Sequence, residues 1–132
     1  MREILFKAKR DGSGEWVEGC LVIDHSRSNL FEYRMQPVES GVLYAPPINP
    51  ETLCQFTGLC DKNGNKIWEN DVIQYGTVAA VAKFGEYGNG GLGFYVDFPE
   101  ETFYRKELGY WRRKVETSGN VFDNPELLQE EH

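Results

Sequence analysis

No stretch of this chain is long and apolar enough to cross a bilayer. The longest uncharged apolar run, Val78 to Ala82, falls far short of the roughly 20 residues that a membrane-spanning helix needs. Cysteine is scarce and odd in number. Cys20, Cys54 and Cys60 do not make a disulfide framework, and the first residues carry the charges of Arg2 and Glu3 with no apolar segment behind them, so secretion finds no support. Reduced thiols in a cytoplasm are the expectation. Basic charge is also in deficit, with 14 Lys and Arg against 21 Asp and Glu for a formal net charge of −7. The mean field therefore repels phosphate, which disfavours a duplex-coating role. Paired cysteine and histidine spacings are missing too: Cys54 and Cys60 leave His25 as the other soft ligand, whereas structural zinc wants four ligands in short pairs.

What is present points to a β-rich domain. Hydrophobic residues at 40% and aromatics at 14% argue against disorder, and 14 glycines with 6 prolines imply many turns between short elements. A chain of 132 residues is one domain's worth, long enough for a single core.

The strongest local signal lies between Thr52 and Tyr75. Asn63-Gly64 separates the apolar run Leu53 to Leu59 from Ile67 to Ile73. That pairing predicts a tight hairpin of type I′, since Asn and Gly best tolerate positive φ. In chain order, further strands are expected at 4–10, at 15–24 with Cys20 half-buried, at 30–35 and at 42–45. A polar break at 25–29 separates the second and third of these. Strands follow at 71–75 and 77–84, joined by a kink at Gly76, then at 92–98 and 115–123. Val78, Ala80, Ala82 and Phe84 alternate with residues that are also largely apolar, which makes 77–84 a central strand. Asn49-Pro50-Glu51 and Asn124-Pro125-Glu126 each read as a short helical start, with Asn capping and Pro at the first helical position. The fold class is mainly β or α+β: a bent antiparallel sheet or partly open small barrel with one or two short helices.

These residues carry a resemblance. Thr52-Leu53-Cys54-Gln55-Phe56-Thr57-Gly58-Leu59, then Asp61-Lys62-Asn63-Gly64, then Ile67-Trp68-Glu69-Asn70-Asp71-Val72-Ile73 resemble the central signature of the YopX-like family of phage and prophage proteins. Met1 to Lys9 with Gly14 to Gly19, and Gly119 to Leu128, resemble that family's two ends in the same order. The resemblance spans nearly all of 1–132, read as one YopX-like domain, and implies a small mobile-element protein in a bacterial host, with no assigned activity and no recognised catalytic residues. Cys54 and Asn70 stand where the family usually has glycine, and Cys60 where it has lysine or another polar residue. Asn is the commonest non-glycine residue in the left-handed region, so the change at Asn70 is mild. The stretch 100–114 fits the family pattern poorly and reads as a lobe particular to this member.

Several chemical motifs fail on context. Gly88-Asn89-Gly90-Gly91-Leu92-Gly93 matches G-x-G-x-x-G, but a strand follows where a dinucleotide site needs a helix N-terminus, so it reads as a hairpin connection. Asp61, Asn63 and Asn65 have the spacing of the first ligands of a calcium loop. Lys66 and Val72 then occupy the positions that require glycine and a bidentate Glu. Cys20 or Cys54 with His25 is the one nucleophile pairing available, and neither cysteine lies in a glycine-flanked elbow or at a helix start. No catalytic, cofactor or metal residue is therefore assigned.

One constellation remains. Five of the 14 basic residues and four aromatics fall within Phe103 to Lys114. Tyr104, Leu108 and Trp111 have helical spacing, with Gly109 weakening it. The candidate interaction surface is Tyr104, Arg105, Lys106, Tyr110, Trp111, Arg112, Arg113 and Lys114. If the stretch is helical, Arg105 and Arg112 share a face. Such a surface suits a protein partner or a second copy of the chain, because Trp, Tyr and Arg are enriched at interface hot spots. It also suits single-stranded nucleic acid, by cation-flanked stacking, though the net charge opposes this. A third reading is a cover for the sheet, aromatics inward and charges out. The functional expectation is a non-enzymatic protein-interaction module, with a nucleic-acid-binding accessory protein as the alternative.

Overall fold

The computed structural model describes residues 3–27, 30–38, 45–88, 90–99, 103 and 105–128, with side chains described for all of these except 24–27 and 30–32. The chain divides into two compact units, Met1–Phe56 and Thr57–His132. Nine strands and one α-helical turn are described, in two open antiparallel sheets.

In the first unit, β1 (Phe6–Lys9), β2 (Trp16–Arg27) and β3 (Leu30–Pro37) form an antiparallel meander, and the start of β4 (Cys54–Cys60) pairs with the free edge of β1 through Phe6↔Gln55 and Lys7↔Cys54. Period-two alternation sorts β2 cleanly. Val17 and Leu21 turn toward a core of Ala8, Met35 and Ile48, while the opposite face carries Trp16, crossed by the ammonium groups of Lys7 at 4.7 Å and Lys9 at 5.5 Å. Cys20 lies on that outer face and is exposed, not half-buried as expected. The polar residues at 25–27 belong to β2, which continues through a register shift between Asp24 and Arg27 to pair Arg27 with Leu30 of β3 instead of ending at 25. The strand expected at 42–45 lies outside the described residues except for Ala45, which is in no strand and accepts a 2.8 Å bond from Arg34 Nη1.

Asn49 caps a single 3₁₀ turn, Pro50–Thr52, as its sequence predicts, its Oδ1 accepting the N–H of Glu51 at 3.0 Å. Thr52 ties this turn to β1: its hydroxyl donates to the Asn49 carbonyl at 2.7 Å and accepts the N–H of Lys9 at 2.9 Å.

The second unit opens with the hairpin from β4 to β5 (Lys66–Trp68). The hairpin is where Asn63-Gly64 predicts it, but the turn is of another type. Among the described residues Asn70 is the one non-glycine at positive φ, so Asn63 is not, and Gly64 alone in the loop is left-handed, at φ 84°. The N–H of Gly64 closes on the Asp61 carbonyl at 3.0 Å and the N–H of Asp61 on the Asn65 carbonyl at 2.8 Å. This is the three-residue loop that ends in a left-handed glycine, not a two-residue I′ turn.

β6 (Asp71–Tyr75) and β7 (Val78–Tyr87) form a hairpin around Gly76-Thr77, so the expected kink is a full reversal of the chain. β8 (Gly91–Asp97) returns along β7, and β9 (Glu116–Asn120) flanks β6, giving the order β8-β7-β6-β9. β7 is thus interior, as read. The core of this unit is Ile67, Ile73, Ala80, Ala82, Val96, Phe98, Leu108, Trp111 and Val115. A second 3₁₀ turn, Pro125–Leu128, follows Asn124.

Candidate interaction surface

The segment 105–115 is tied at one end to strand β8 and at the other to the β4–β5 loop. The N–H of Val96 in edge strand β8 donates to the Lys106 carbonyl at 2.8 Å, and the N–H of Lys62 donates to that of Val115 at 3.1 Å. Between them α1 (Leu108–Trp111) makes a single helical turn. Leu108 is fully buried and Trp111 nearly so. The Trp111 ring centre lies 5.1 Å from Tyr75, 5.0 Å from Phe98, 5.0 Å from Phe103 and 5.2 Å from Tyr110. Its indole N–H donates to the Arg105 carbonyl at 2.6 Å, which satisfies the one polar atom that burial would otherwise orphan.

This geometry corrects two sequence expectations. Trp111 is part of the core and leaves the candidate surface. A four-residue helix also places Arg105 before it and Arg112 at its C-cap, so the two do not share a helical face. Tyr104 lies outside the described residues. The exposed part of the surface is Arg105, Tyr110, Arg113 and Lys114, with Lys106 and Arg112 half-buried.

Tyr110, 40% exposed, is the organising side chain. The Arg105 guanidinium sits 4.3 Å and the Lys114 ammonium 5.2 Å from its ring centre, an arrangement stabilised by the ring quadrupole. The Glu107 carboxyl is held below the usual carboxylate range, first by its own backbone N–H, against the opposing push of burial, and then by Arg105. Its ionised form bonds Arg105 Nε at 3.4 Å and keeps that guanidinium beside the ring.

The other motifs resolve into backbone architecture. Asp61 is 5% exposed. Its Oδ1 accepts the N–H groups of Asn63 and Asn65, both at 2.9 Å, and its Oδ2 accepts the N–H and hydroxyl of Thr117 at 2.9 and 3.0 Å. Burial pushes its pKa up, but these four donors outweigh it and the net shift is downward. The calcium-like spacing therefore builds a loop and staples it to β9. Buried Cys54 donates its thiol to the Thr52 carbonyl at 3.3 Å. The side chain of His25 lies outside those described, and no group of three or more His, Cys, Asp or Glu able to hold a metal occurs among the described residues. The glycine-rich run connects β7 to β8 as a hairpin.

A second exposed feature escaped sequence reading. The sequence places Phe84 in a central strand and Leu92 in the strand 92–98, yet Phe84 is 55% and Leu92 69% exposed. The glycines of Gly88 to Gly93, read from the sequence as a hairpin connection, are the signal that could have found it.

A family model described as YopX protein matches residues 6–129. No curated protein matches. Among solved structures, the chain is similar to the crystal structure of protein EF1440 from Enterococcus faecalis, with 21% sequence identity, 98% of this chain and 100% of that chain covered, and a TM-score of 0.49.

Proposed function

The chain belongs to the YopX protein family, and on that premise we propose that it is a non-enzymatic interaction module of a phage or prophage, acting through contact with a protein partner in the host cytoplasm. The observation that carries this reading is Tyr110, an exposed aromatic flanked by Arg105 and Lys114 on a turn whose other side is locked into the core. Aromatic and arginine side chains that are held before binding lose little freedom when a partner arrives, which is the property of interface anchors. With Arg113 alongside, the surface suits an acidic patch on that partner.

The nucleic-acid alternative needs successive aromatic platforms along a basic track. Trp111 is turned inward, which leaves Tyr110 as the exposed ring of 105–114, and the rest of the chain is acidic enough to bring the formal charge to −7.

The test is comparative capture from a lysogenic host, with wild type and the variant R105E/Y110A/K114E as baits of equal folded fraction. A partner retained by the first and lost by the second supports the reading. The same set on both, or none on either, overturns it. In parallel, titration with single-stranded DNA across a salt series is expected to give no binding tighter than about 1 mM at physiological salt. Light scattering over a concentration series tells whether the partner is a second copy.

A further inference from the structure

The β7–β8 hairpin carries its core-facing side past the point where the core ends. At its base Ala80, Ala82, Val96 and Phe98 are buried beneath Leu108 and Trp111. Toward its tip the same face emerges, with Phe84 and Leu92 exposed and Phe94 half-buried. Phe84 and Phe94 are directly opposite in register, their rings edge to face at 5.0 Å, and Leu92 stands opposite the exposed Glu86. Three large apolar side chains thus form one patch on the order of 300 Å², within the range of the largest patches on monomeric proteins, which are often functional.

The reverse face shows that this hairpin is fully formed. Gly85 and Gly93 are paired opposite each other, and across the space they leave Tyr87 and Tyr95 stack with ring centres 5.4 Å apart. The Tyr87 ring also lies on Gly91, where a Cβ would come within 2.6 Å of it. Lys83 and Asp97 close the base with a 2.8 Å ion pair. The exposed apolar face is therefore preformed.

We propose that this face docks a short amphipathic segment of a partner protein, with leucine or aromatic anchors laid against Phe84, Leu92 and Phe94 and with Lys or Arg on either side of them. Area and charge select this occupant. A stable pair of globular copies buries about 800 Å² on each partner, more than twice this patch, and a second copy would bring another −7 of formal charge against the first. A segment with two anchors matches the size of the patch. Glu86 within the patch, and the formal charge of −7 on the chain, complement cationic flanks. This site shares no residue with the Tyr110 surface, prefers the opposite charge, and stands independently of that reading.

The experiment titrates the ¹⁵N-labelled full chain with two synthetic amphipathic peptides that share Leu and Trp anchors and differ only in Lys or Glu flanks. The Lys-flanked peptide is expected to shift the amides of 84–87 and 91–95 saturably, with a Kd of about 100 μM or tighter, and the Glu-flanked peptide to bind at least about tenfold more weakly. F84S/L92S should weaken binding by at least about tenfold while keeping the folded amide spectrum outside 84–95, and E86K should erase the preference for cationic flanks. The proposal is overturned if neither peptide shifts these amides below about 1 mM, or if binding survives F84S/L92S. It is equally overturned if the wild type forms a concentration-dependent dimer that F84S/L92S abolishes, which would assign the face to a second copy.

Discussion

At Asp61 one carboxylate holds together three pieces of chain: the loop at Asn63, the return at Asn65 and strand β9 at Thr117. Removing it in D61A leaves N–H groups unpaired in a nearly water-free site, and a loss of about 2–4 kcal/mol in urea unfolding at neutral pH is expected. D61N should lose less, since its amide oxygen still accepts while its NH₂ opposes the Thr117 donors. Because the folded-state pKa of Asp61 is lowered, its contribution is present above the unfolded carboxylate value near about pH 4 and disappears as pH falls through the folded value. The stability gap between wild type and D61N should therefore narrow on acidification from pH 7 toward pH 3. Asn70 makes a separate case at φ 71°. Glycine adopts that conformation without penalty and alanine does not, so N70A is expected to cost about 1 kcal/mol more than N70G in the same measurement. Gly19 is constrained by space instead: a Cβ there would lie 1.9 Å from the Gln36 carbonyl oxygen of the neighbouring strand. G19A should lower thermal stability by about 2 kcal/mol or more, because the obstacle is backbone and cannot rotate away.

At the level of the element, α1 separates two roles that its composition mixes. Leu108 and Trp111 hold the turn to the sheet, and Tyr110 between them faces outward. W111A should cost about 3–5 kcal/mol on calorimetry or chemical unfolding, and Y110A less than about 1 kcal/mol while abolishing partner capture. Equal losses from both would mean that Tyr110 is also structural. The helical spacing of Leu108 and Trp111 was legible, but the burial of Trp111, which the sequence places on the candidate surface, was not. The length of the helix was not, because the tie of Lys106 to β8 and the packing of Val115 cut it to one turn, and both involve residues distant in sequence. The central hairpin divides in the same way. Asn63-Gly64 marks the reversal, but the Asp61 carboxylate, captured by Thr117 fifty-six positions away, accompanies a loop with Gly64, not Asn63, in the left-handed position.

Across the whole molecule, the two units differ in how much they bury. Among the described residues the second has twelve buried apolar side chains, whereas the first has six, Leu5, Ala8, Met35, Ile48, Cys54 and Phe56. Native-state hydrogen exchange should accordingly find the slowest amides at Val72, Ile73, Ala80, Ala82 and Val96, with β2 and β3 opening at lower free energy. Uniform protection of the two units would contradict that ordering. From the chain alone came the mainly β class, most of the strands, both Asn-Pro-Glu turns, the site of the central reversal and the family, since these follow from local backbone preference and period-two patterning within a few residues. Which aromatics point outward did not follow from it. Trp111 is followed directly by Arg112, Arg113 and Lys114 yet is buried, while Phe84 closes an apolar run yet is exposed, because burial sums contacts over neighbours that only the folded chain brings together, and the cover over β7 and β8 stops short of the hairpin tip.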